Sequence, residues 1–316
     1  MIVEQSFFVL PEVLCGSRYP GQEYESGVVI ALTMSILQEL NGRNARNPLS
    51  FVQGECLYDE NAFGIGRWLR ADLVLDSRAL YVANSHLGKH YGWRHRNWLE
   101  AKFMRKRTGI SSTNKTQSTA LLLADLIRLA VLVPETPGMD TENARYLLHI
   151  YDRPPSEYIS SRRNKNDNGA GGTRRWAKAI NLGGPQTLEI DALDKEPDSF
   201  VKLLGKMGNL TLSLEVTTQV IEPRCEDEAD DQKLYWCYLT RIDSARVEWD
   251  GHGFRLNENR AVEEDAAGDL NAIRAHVAGN LGQVSADEQT QPADIAPAEN
   301  QDDQDTGNND EPTPPE

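Results

Sequence analysis

Cysteines are few in this 316-residue sequence, and long apolar runs are missing from it. The four cysteines form no CxxC pair and have no disulfide-like spacing, so we expect reduced thiols in a cytoplasmic protein. No stretch approaches the roughly 18 apolar residues that a membrane-spanning helix needs. The first residues also lack the basic segment of a signal peptide. These absences favour a protein with no membrane partner.

Positive charge is scarce in the C-terminal half of the chain. Residues 1–180 hold 23 lysines and arginines against 18 aspartates and glutamates, whereas residues 181–316 hold 10 against 30. A basic N-terminal half suits a polyanion such as nucleic acid. The acidic half is open to two interpretations, a docking surface for a protein partner or a tail that distorts the totals.

The last segment of the chain is the most acidic. Residues 284–316 hold ten acidic residues, no basic ones, several prolines and almost no large apolar groups. Such a composition cannot bury enough surface to offset its chain entropy, so we predict a disordered acidic tail.

Two short stretches carry the candidate chemistry. In the predicted strand around Glu100, the side chains of Glu100 and Lys102 share one face because side chains alternate along a strand. The predicted strand 70–76 has the same build and places Asp72 on one face. If the two strands are neighbours, the three side chains converge. Two carboxylates can hold a hard divalent cation, and a lysine can order an attacking water.

This arrangement resembles the PD-(D/E)XK nuclease superfamily, although Ala71 stands where the name-giving proline would be. The resemblance implies a metal-dependent endonuclease that hydrolyses phosphodiester bonds, of DNA rather than RNA, in antiviral (phage) defence, restriction or repair. It implies Asp72, Glu100 and Lys102 as catalytic residues. It also implies Mg²⁺ (or Mn²⁺) held by Asp72, Glu100, the backbone carbonyl of Ala101 and Glu25.

The order of predicted elements fits the restriction-endonuclease-like fold that the resemblance implies. The sequence predicts a helix over 22–41, three strands over 49–58, 70–76 and 98–103, a buried helix over 115–132, and a strand over 144–151. The fold class is therefore α/β (α+β). We divide the chain into a nuclease-like core (1–155), a basic glycine-rich loop (156–180), a strand-rich region (181–283) and the tail (284–316). The region 181–283 either extends the core sheet or forms a partner-binding α+β unit.

Glu25 has two interpretations. The apolar stripe of the first predicted helix, extended backward by one turn, ends at Glu25, which directs its carboxylate toward the metal site. Alternatively, Glu25 is a first-turn acidic residue that the helix dipole favours.

Basic and polar residues near this core are candidate phosphate contacts. They lie in the loop before the Glu100 strand, directly after that strand, in the first turn of the second helix and in the glycine-rich loop. The set is Lys89, Arg94, Arg96, Arg105, Lys106, Arg107, Lys115, Gln117, Arg162, Arg163, Arg174 and Arg175. Solvated capping residues and a mobile connector are the alternatives for the last two groups.

Two further functions stay open at this level. The chain can be a non-catalytic nuclease-fold subunit that binds nucleic acid or a partner protein, including a second copy in a homodimer. It can also be an assembly protein in which Glu100 and Lys102 form an ordinary ion pair across strands.

Overall fold

The strands predicted to carry Asp72 and Glu100 are neighbours in one sheet. The computed structural model describes residues 2–16, 24–58, 69–78, 80, 95–105, 114–138, 142–160, 174–191, 204, 207–223, 234–257 and 262–289. In these ranges the helices are α1 (Ile2–Gly16), α2 (Glu25–Gly42), α3 (Lys115–Val131), α4 (Arg175–Ala179) and α5 (Ala267–Gln289). The strands are β1 (Val52–Leu57), β2 (Arg70–Asp76), β3 (Arg96–Met104), β4 (Asn143–Tyr151), β5 (Gly184–Ile190), β6 (Thr211–Ile221), β7 (Trp236–Trp249) and β8 (His252–Asn257).

The described strands form one open sheet of eight strands, in the order β1-β2-β3-β4-β7-β6-β5, with β8 paired to β7. Within it, β3 and β4 are parallel and the other pairs are antiparallel. A parallel pair needs a long crossover, and α3 provides it. The fold is therefore mixed α/β with a mostly antiparallel sheet.

The C-terminal strands continue this sheet. β7 pairs with β4 through residues 236–242 and with β8 through residues 244–249. The described strands of residues 181–283, β5 to β8, therefore belong to the same sheet as β1 to β4.

Helices cover both faces of the sheet. Alternate residues of β2 and β3, including Leu73 and Leu99, pack with α1 and α2, whereas Val74 and Trp98 pack on the other face with α3 and α5. The expectation that α3 is buried nearly all round is confirmed, since most of its residues from Thr119 to Val131 are buried. Each large apolar side chain buried in this way stabilises the fold by about 1.5–3 kcal/mol.

Three helices were absent from the predicted elements. The short α4 lies within residues 156–180, which were predicted to be a loop. α1 contains Pro11, a residue that normally interrupts a helix, and this obscures its apolar pattern. α5 buries Leu270, Ile273, Val277 and Leu281 and extends past the expected boundary at residue 284. The rest of the predicted tail, residues 290–316, and positions 161–173 of the basic loop lie outside the described residues. None of the described helices is long and apolar enough to cross a membrane.

Candidate functional site

The sheet opens between β2 and β3 at the candidate site. Regular pairing of these strands ends at Leu73, opposite Leu99. Beyond that point β2 stays paired with β1, and β3 stays paired with β4. Asp72 and Glu100 are the first residues beyond the last β2–β3 pair. They lie where the backbone hydrogen bonds between the two strands have ended.

Asp72 is fixed by the backbone of β3. The Ala101 amide donates a hydrogen bond of 2.6 Å to Oδ2 of Asp72, in place of a ladder bond. The carboxyl groups of Asp72 and Glu100 also share a hydrogen bond. Across from Asp72 on β1, Glu55 has a φ of +52°, in the left-handed region that non-glycine residues rarely occupy. The backbone beside Asp72 is thus irregular on both of its strand neighbours.

Glu100 is buried against two aromatic rings. It is 2% exposed, and the Tyr58 hydroxyl donates to its Oε1. The ring of Tyr58 stacks on Trp98, with centroids 5.5 Å apart and planes 12° from parallel. Because Trp98 and Glu100 share a face of β3, the stack positions the phenol over the carboxyl group.

Lys102 joins two helices to this strand. Its Nζ is 3.1 Å from Oε2 of Glu25, the first residue of α2, and 3.6 Å from Oδ2 of Asp125 on α3. Asp125 also accepts a hydrogen bond of 2.8 Å from Nη1 of Arg128, one turn further along α3. The Asp125 side chain is 2% exposed, so a buried carboxylate holds both cations.

Three carboxyl groups of the site are harder to ionise than usual. Burial raises the pKa of Glu100 well above its usual range, and the charge of Asp72 raises it further. Burial also raises the pKa of Asp72, although the Ala101 amide opposes this change. For Glu25, burial outweighs the attraction of Lys102 and raises the pKa to about 7. The protonated form of Glu100 is therefore favoured more than that of an exposed glutamate.

The two cations of the site remain charged. Burial alone would lower the pKa of Lys102, but Asp125 and Glu25 outweigh it and raise the pKa. Arg128 behaves in the same way, with Asp125 and Glu100 as its main partners. With every group ionised, four carboxylates would face two cations, an excess of two negative charges. Burial is the main cause of the raised pKa values, and repulsion among the carboxylates adds to it.

The donor set suits a hard divalent cation with few protein ligands. Mg²⁺ is commonly held by one or two carboxylates, with water and substrate oxygens in its other positions. Asp72 and Glu100 supply two adjacent carboxyl groups, and the charge of Asp72 adds to the effect of burial on the pKa of Glu100. Within the described ranges, no group of three or more histidine, cysteine, aspartate or glutamate side chains is arranged to hold a metal ion. Because they are two adjacent carboxyl groups, Asp72 and Glu100 suit Mg²⁺ or Mn²⁺. Glu25 belongs to the same cluster because its carboxylate contacts Lys102.

The structure therefore brings together Glu25, Asp72, Glu100, Ala101 and Lys102. Sequence reasoning missed the three groups that complete the cluster, namely Tyr58, Asp125 and Arg128. A signal for two of them was present, since Asp125 and Arg128 are the only charged residues between Ala120 and Leu132. A charged pair in a buried helix needs a partner, and here the partner is Lys102.

The predicted phosphate contacts divide into three groups. Arg105 directly follows β3, and its guanidinium lies over the Tyr24 ring, 4.8 Å from the centroid. Lys115 and Gln117 begin α3, where Nζ of Lys115 donates to the Ser156 carbonyl at 2.7 Å. These three residues lie toward the ends of β3 and β4 that are nearer Lys102, and Arg175 is exposed on α4. The second group comprises Arg96 and Arg174, and the third lies outside the described residues: Lys89, Arg94, Lys106, Arg107, Arg162 and Arg163.

Arg96 and Arg174 are placed differently from the expectation of exposed phosphate ligands near the site. Arg96 begins β3, at the strand end opposite to Lys102, and lies over the Trp98 ring at 4.9 Å. Arg174 is 1% exposed and donates to the Ser160 carbonyl at 3.2 Å. A buried guanidinium is not presented to a nucleic acid, so we leave Arg174 out of the contact surface.

Comparison of this chain with protein-family models, with curated proteins and with solved structures found no match.

Proposed function

We propose that this chain is a metal-dependent nuclease that hydrolyses phosphodiester bonds. The observation that carries the proposal is the Asp72–Glu100 carboxyl pair in the opening between β2 and β3, with the charged Lys102 two residues further along β3. Paired carboxyl groups beside a fixed ammonium are the side-chain set that metal-assisted phosphodiester hydrolysis needs.

The arrangement of elements supports the same proposal. The chain runs α2, β1, β2, β3, α3 and β4, with β1–β2–β3 antiparallel and β4 parallel to β3. This is the order expected of a restriction-endonuclease-like core. The proposal therefore includes membership of the PD-(D/E)XK superfamily, with β5 to β8 as an extension of the core sheet.

Mg²⁺ or Mn²⁺ would be held by Asp72 and Glu100, with the Ala101 carbonyl and Glu25 as further oxygen donors. When bound, such an ion neutralises charge on the phosphate and makes a coordinated water more acidic. Binding requires an ionised Glu100, and burial raises the pKa of that group, so affinity should rise with pH. The hydroxyl of Tyr58 keeps the ionised carboxyl group in place.

Lys102 positions the water that attacks phosphorus and stabilises the negative charge that develops there. Its ammonium has three donors; Oε2 of Glu25 lies within hydrogen-bond distance, whereas Oδ2 of Asp125 at 3.6 Å forms an ion pair without a hydrogen bond. Asp125 keeps Lys102 charged and directed toward the opening. Arg128 neutralises Asp125, so the lysine is not held by an unopposed buried carboxylate.

Purified protein incubated with plasmid DNA, single-stranded DNA and RNA tests the proposal directly. Cleavage is expected with Mg²⁺ or Mn²⁺ and not with EDTA, and DNA is the expected substrate. Asp72→Asn should remove the cleavage. Asp76→Asn is the matched control, because Asp76 lies on the same strand and pairs with Arg78 outside the site. Metal-independent cleavage, or equal loss in both variants, contradicts the proposal.

A second function, that of a non-catalytic subunit, is favoured by the way the charged groups of the site pair with one another. Each ionic group of the site already has a protein partner, and no complete three-ligand metal group occurs among the residues described. A non-catalytic subunit would retain such a network for stability while binding nucleic acid or a partner protein, and its acidic C-terminal half would be the docking surface. Salt-sensitive nucleic-acid binding without cleavage under any metal condition would favour this alternative. A cytoplasmic location is part of both proposals.

A further inference from the structure

Tyr24 is an exposed aromatic residue at the start of the helix that carries Glu25. Its side chain is 59% exposed. Its carbonyl accepts the first bonds of α2, from Gly27 at 2.9 Å and from Val28 at 3.3 Å, so its backbone is fixed. The ring is therefore held at a defined place on the surface and not on a free chain end.

Helix chemistry does not account for a tyrosine at this position. The N-cap favours serine, threonine, aspartate or asparagine, whose side chains accept a bond from the helix amides. Tyr24 occupies the N-cap with extended backbone angles and makes no such bond. A large exposed ring at a position that prefers a small polar residue indicates a role outside the helix.

Arg105 lies against this ring. The Arg105 guanidinium carbon is 4.8 Å from the ring centroid, which is cation–π distance. Arg105 follows the last residue of β3, and Tyr24 precedes the Glu25 that contacts Lys102. The Tyr24–Arg105 pair thus joins the start of α2 to the end of β3, the two elements that carry Glu25 and Lys102.

We infer that Tyr24 and Arg105 form a stacking site for an unpaired nucleobase next to the candidate active site. The inference rests on the proposed function and gives it a substrate class, namely single-stranded nucleic acid or an unpaired end or loop. An aromatic ring beside an arginine recognises the π-face that all bases share, while the guanidinium attracts the adjacent phosphate. A paired base keeps its faces in the helix stack and offers nothing to Tyr24.

A fluorescence experiment tests this without requiring cleavage. Oligonucleotides with one 2-aminopurine are titrated with protein in EDTA, as single-stranded DNA, single-stranded RNA and duplex DNA. Wild-type protein should quench the single strands, because stacking quenches this base, and should leave the duplex nearly unchanged. Tyr24→Ala should remove the quenching and weaken single-strand binding by at least about fivefold, the lower limit for loss of one base stack. The two single-stranded samples separate a DNA ligand from an RNA ligand.

Two variants control the interpretation. Tyr24→Phe keeps the ring and should behave as wild type. Phe8→Ala removes another aromatic ring that is also 59% exposed, on α1, and should have no effect. Tyr24→Ala should unfold within a few degrees of the wild-type temperature, because Tyr24 makes no side-chain cap and the substitution removes only an exposed contact with Arg105.

The inference is overturned by unchanged quenching in Tyr24→Ala, by an equal loss of duplex affinity, or by a wild type that does not quench. A wild type that binds and quenches single strands but cleaves nothing with Mg²⁺ or Mn²⁺ contradicts the nuclease proposal and leaves the stacking site standing. The two failures are therefore distinguishable.

Discussion

The ammonium of Lys102 and the carboxylate of Glu25 are 3.1 Å apart, and this contact joins the start of α2 to β3. The Glu25 side chain is 39% exposed, whereas the second carboxylate at Lys102, Asp125, is 2% exposed. One partner of the lysine therefore lies near solvent and the other in the core. Under the proposed function, a substrate phosphate would replace the first contact without disturbing the second.

Replacing Glu100 by Gln should abolish metal-dependent cleavage and preserve the fold. Burial and the charge of Asp72 both oppose ionisation of Glu100, so an amide of the same shape removes a charge that the site disfavours. A metal that binds only the folded state stabilises it by about 2.7 kcal/mol at 100 times its dissociation constant. Thermal unfolding with and without Mg²⁺ should show this stabilisation in wild type and not in Glu100→Gln.

The same measurement on Asp76→Asn should give the wild-type response to Mg²⁺. Stabilisation of Glu100→Gln by Mg²⁺ to the wild-type extent would show that the ion binds elsewhere, and the assignment of the site would then be wrong.

Lys102→Ala should separate catalysis from metal binding. Loss of a donor to developing negative charge typically lowers the rate by about 10²–10³. Because lysine is not a metal ligand, the stabilisation by Mg²⁺ should remain. Single-turnover cleavage and thermal unfolding measure the two effects on the same preparation. Arg255→Ala, which removes an exposed cation on β8, is the control, and a wild-type cleavage rate in Lys102→Ala would refute the proposed mechanism.

Asp125→Asn should destabilise the protein far more than Glu25→Gln. Asp125 is the buried partner of two cations, and removal of one member of a buried ion pair costs about 3–5 kcal/mol. Glu25 is partly solvated, and loss of such a pair costs at most about 1 kcal/mol. Urea unfolding at pH 7 measures both. Equal stabilities for the two variants would mean that Asp125 does not anchor Lys102.

The contrast between these residues shows what sequence can predict. Alternation along two strands was enough to bring Asp72, Glu100 and Lys102 to one face, and helical spacing was enough to place Glu25 nearby. The roles of Tyr58 and Asp125 depend on which elements pack together over long sequence separations. A pattern within one element carries no information about that packing. Arg174 shows the opposite error, because a basic residue in a polar stretch gives no sign that its guanidinium is buried.

The burial of His149 leads us to expect that the folded protein loses stability in acid. It is fully buried beside Tyr151 and Thr240, with ring nitrogens 2.9 and 3.1 Å from their hydroxyl groups. Burial lowers the pKa of His149 from 6.5 to about 3. Between these pH values the unfolded chain binds a proton that the folded protein does not, so stability falls as pH falls. The contribution is at most about 1.4 kcal/mol per pH unit.

The test compares chemical unfolding from pH 7 to pH 4 in three proteins. His149→Phe keeps a ring to stack on Tyr238, loses the titrating group, and should show a shallower decline than wild type. Thr240→Val removes a hydrogen bond of the same network without removing the imidazole. It should be less stable throughout and retain the wild-type slope. A wild-type slope in His149→Phe would rule out this origin of the acid sensitivity.

Two truncations should show that folding requires α5 and does not require the acidic tail. Deleting residues 290–316 removes eight negative charges and no positive ones, so non-specific affinity for nucleic acid should rise or stay level while the protein stays folded. Deleting from residue 267 should unfold the protein. It removes the apolar stripe of α5 and Arg274, which donates to the Val131 and Val133 carbonyls at the end of α3. Binding at several salt concentrations and circular dichroism measure these outcomes, and an unfolded 290–316 deletion would refute the tail assignment.

The pairing of β4 with β7 constrains how the protein is made. Arg145 pairs with Ile242, so β4, the neighbour of β3, obtains its second neighbour only after most of the chain has been synthesised. Until then, an emerging chain exposes the unpaired apolar edge of β4, which can pair with other chains. Closing so distant a contact is slow compared with forming the local β1–β2–β3 meander. We therefore expect an activity that appears late during translation, and fragments that end before β7 to aggregate.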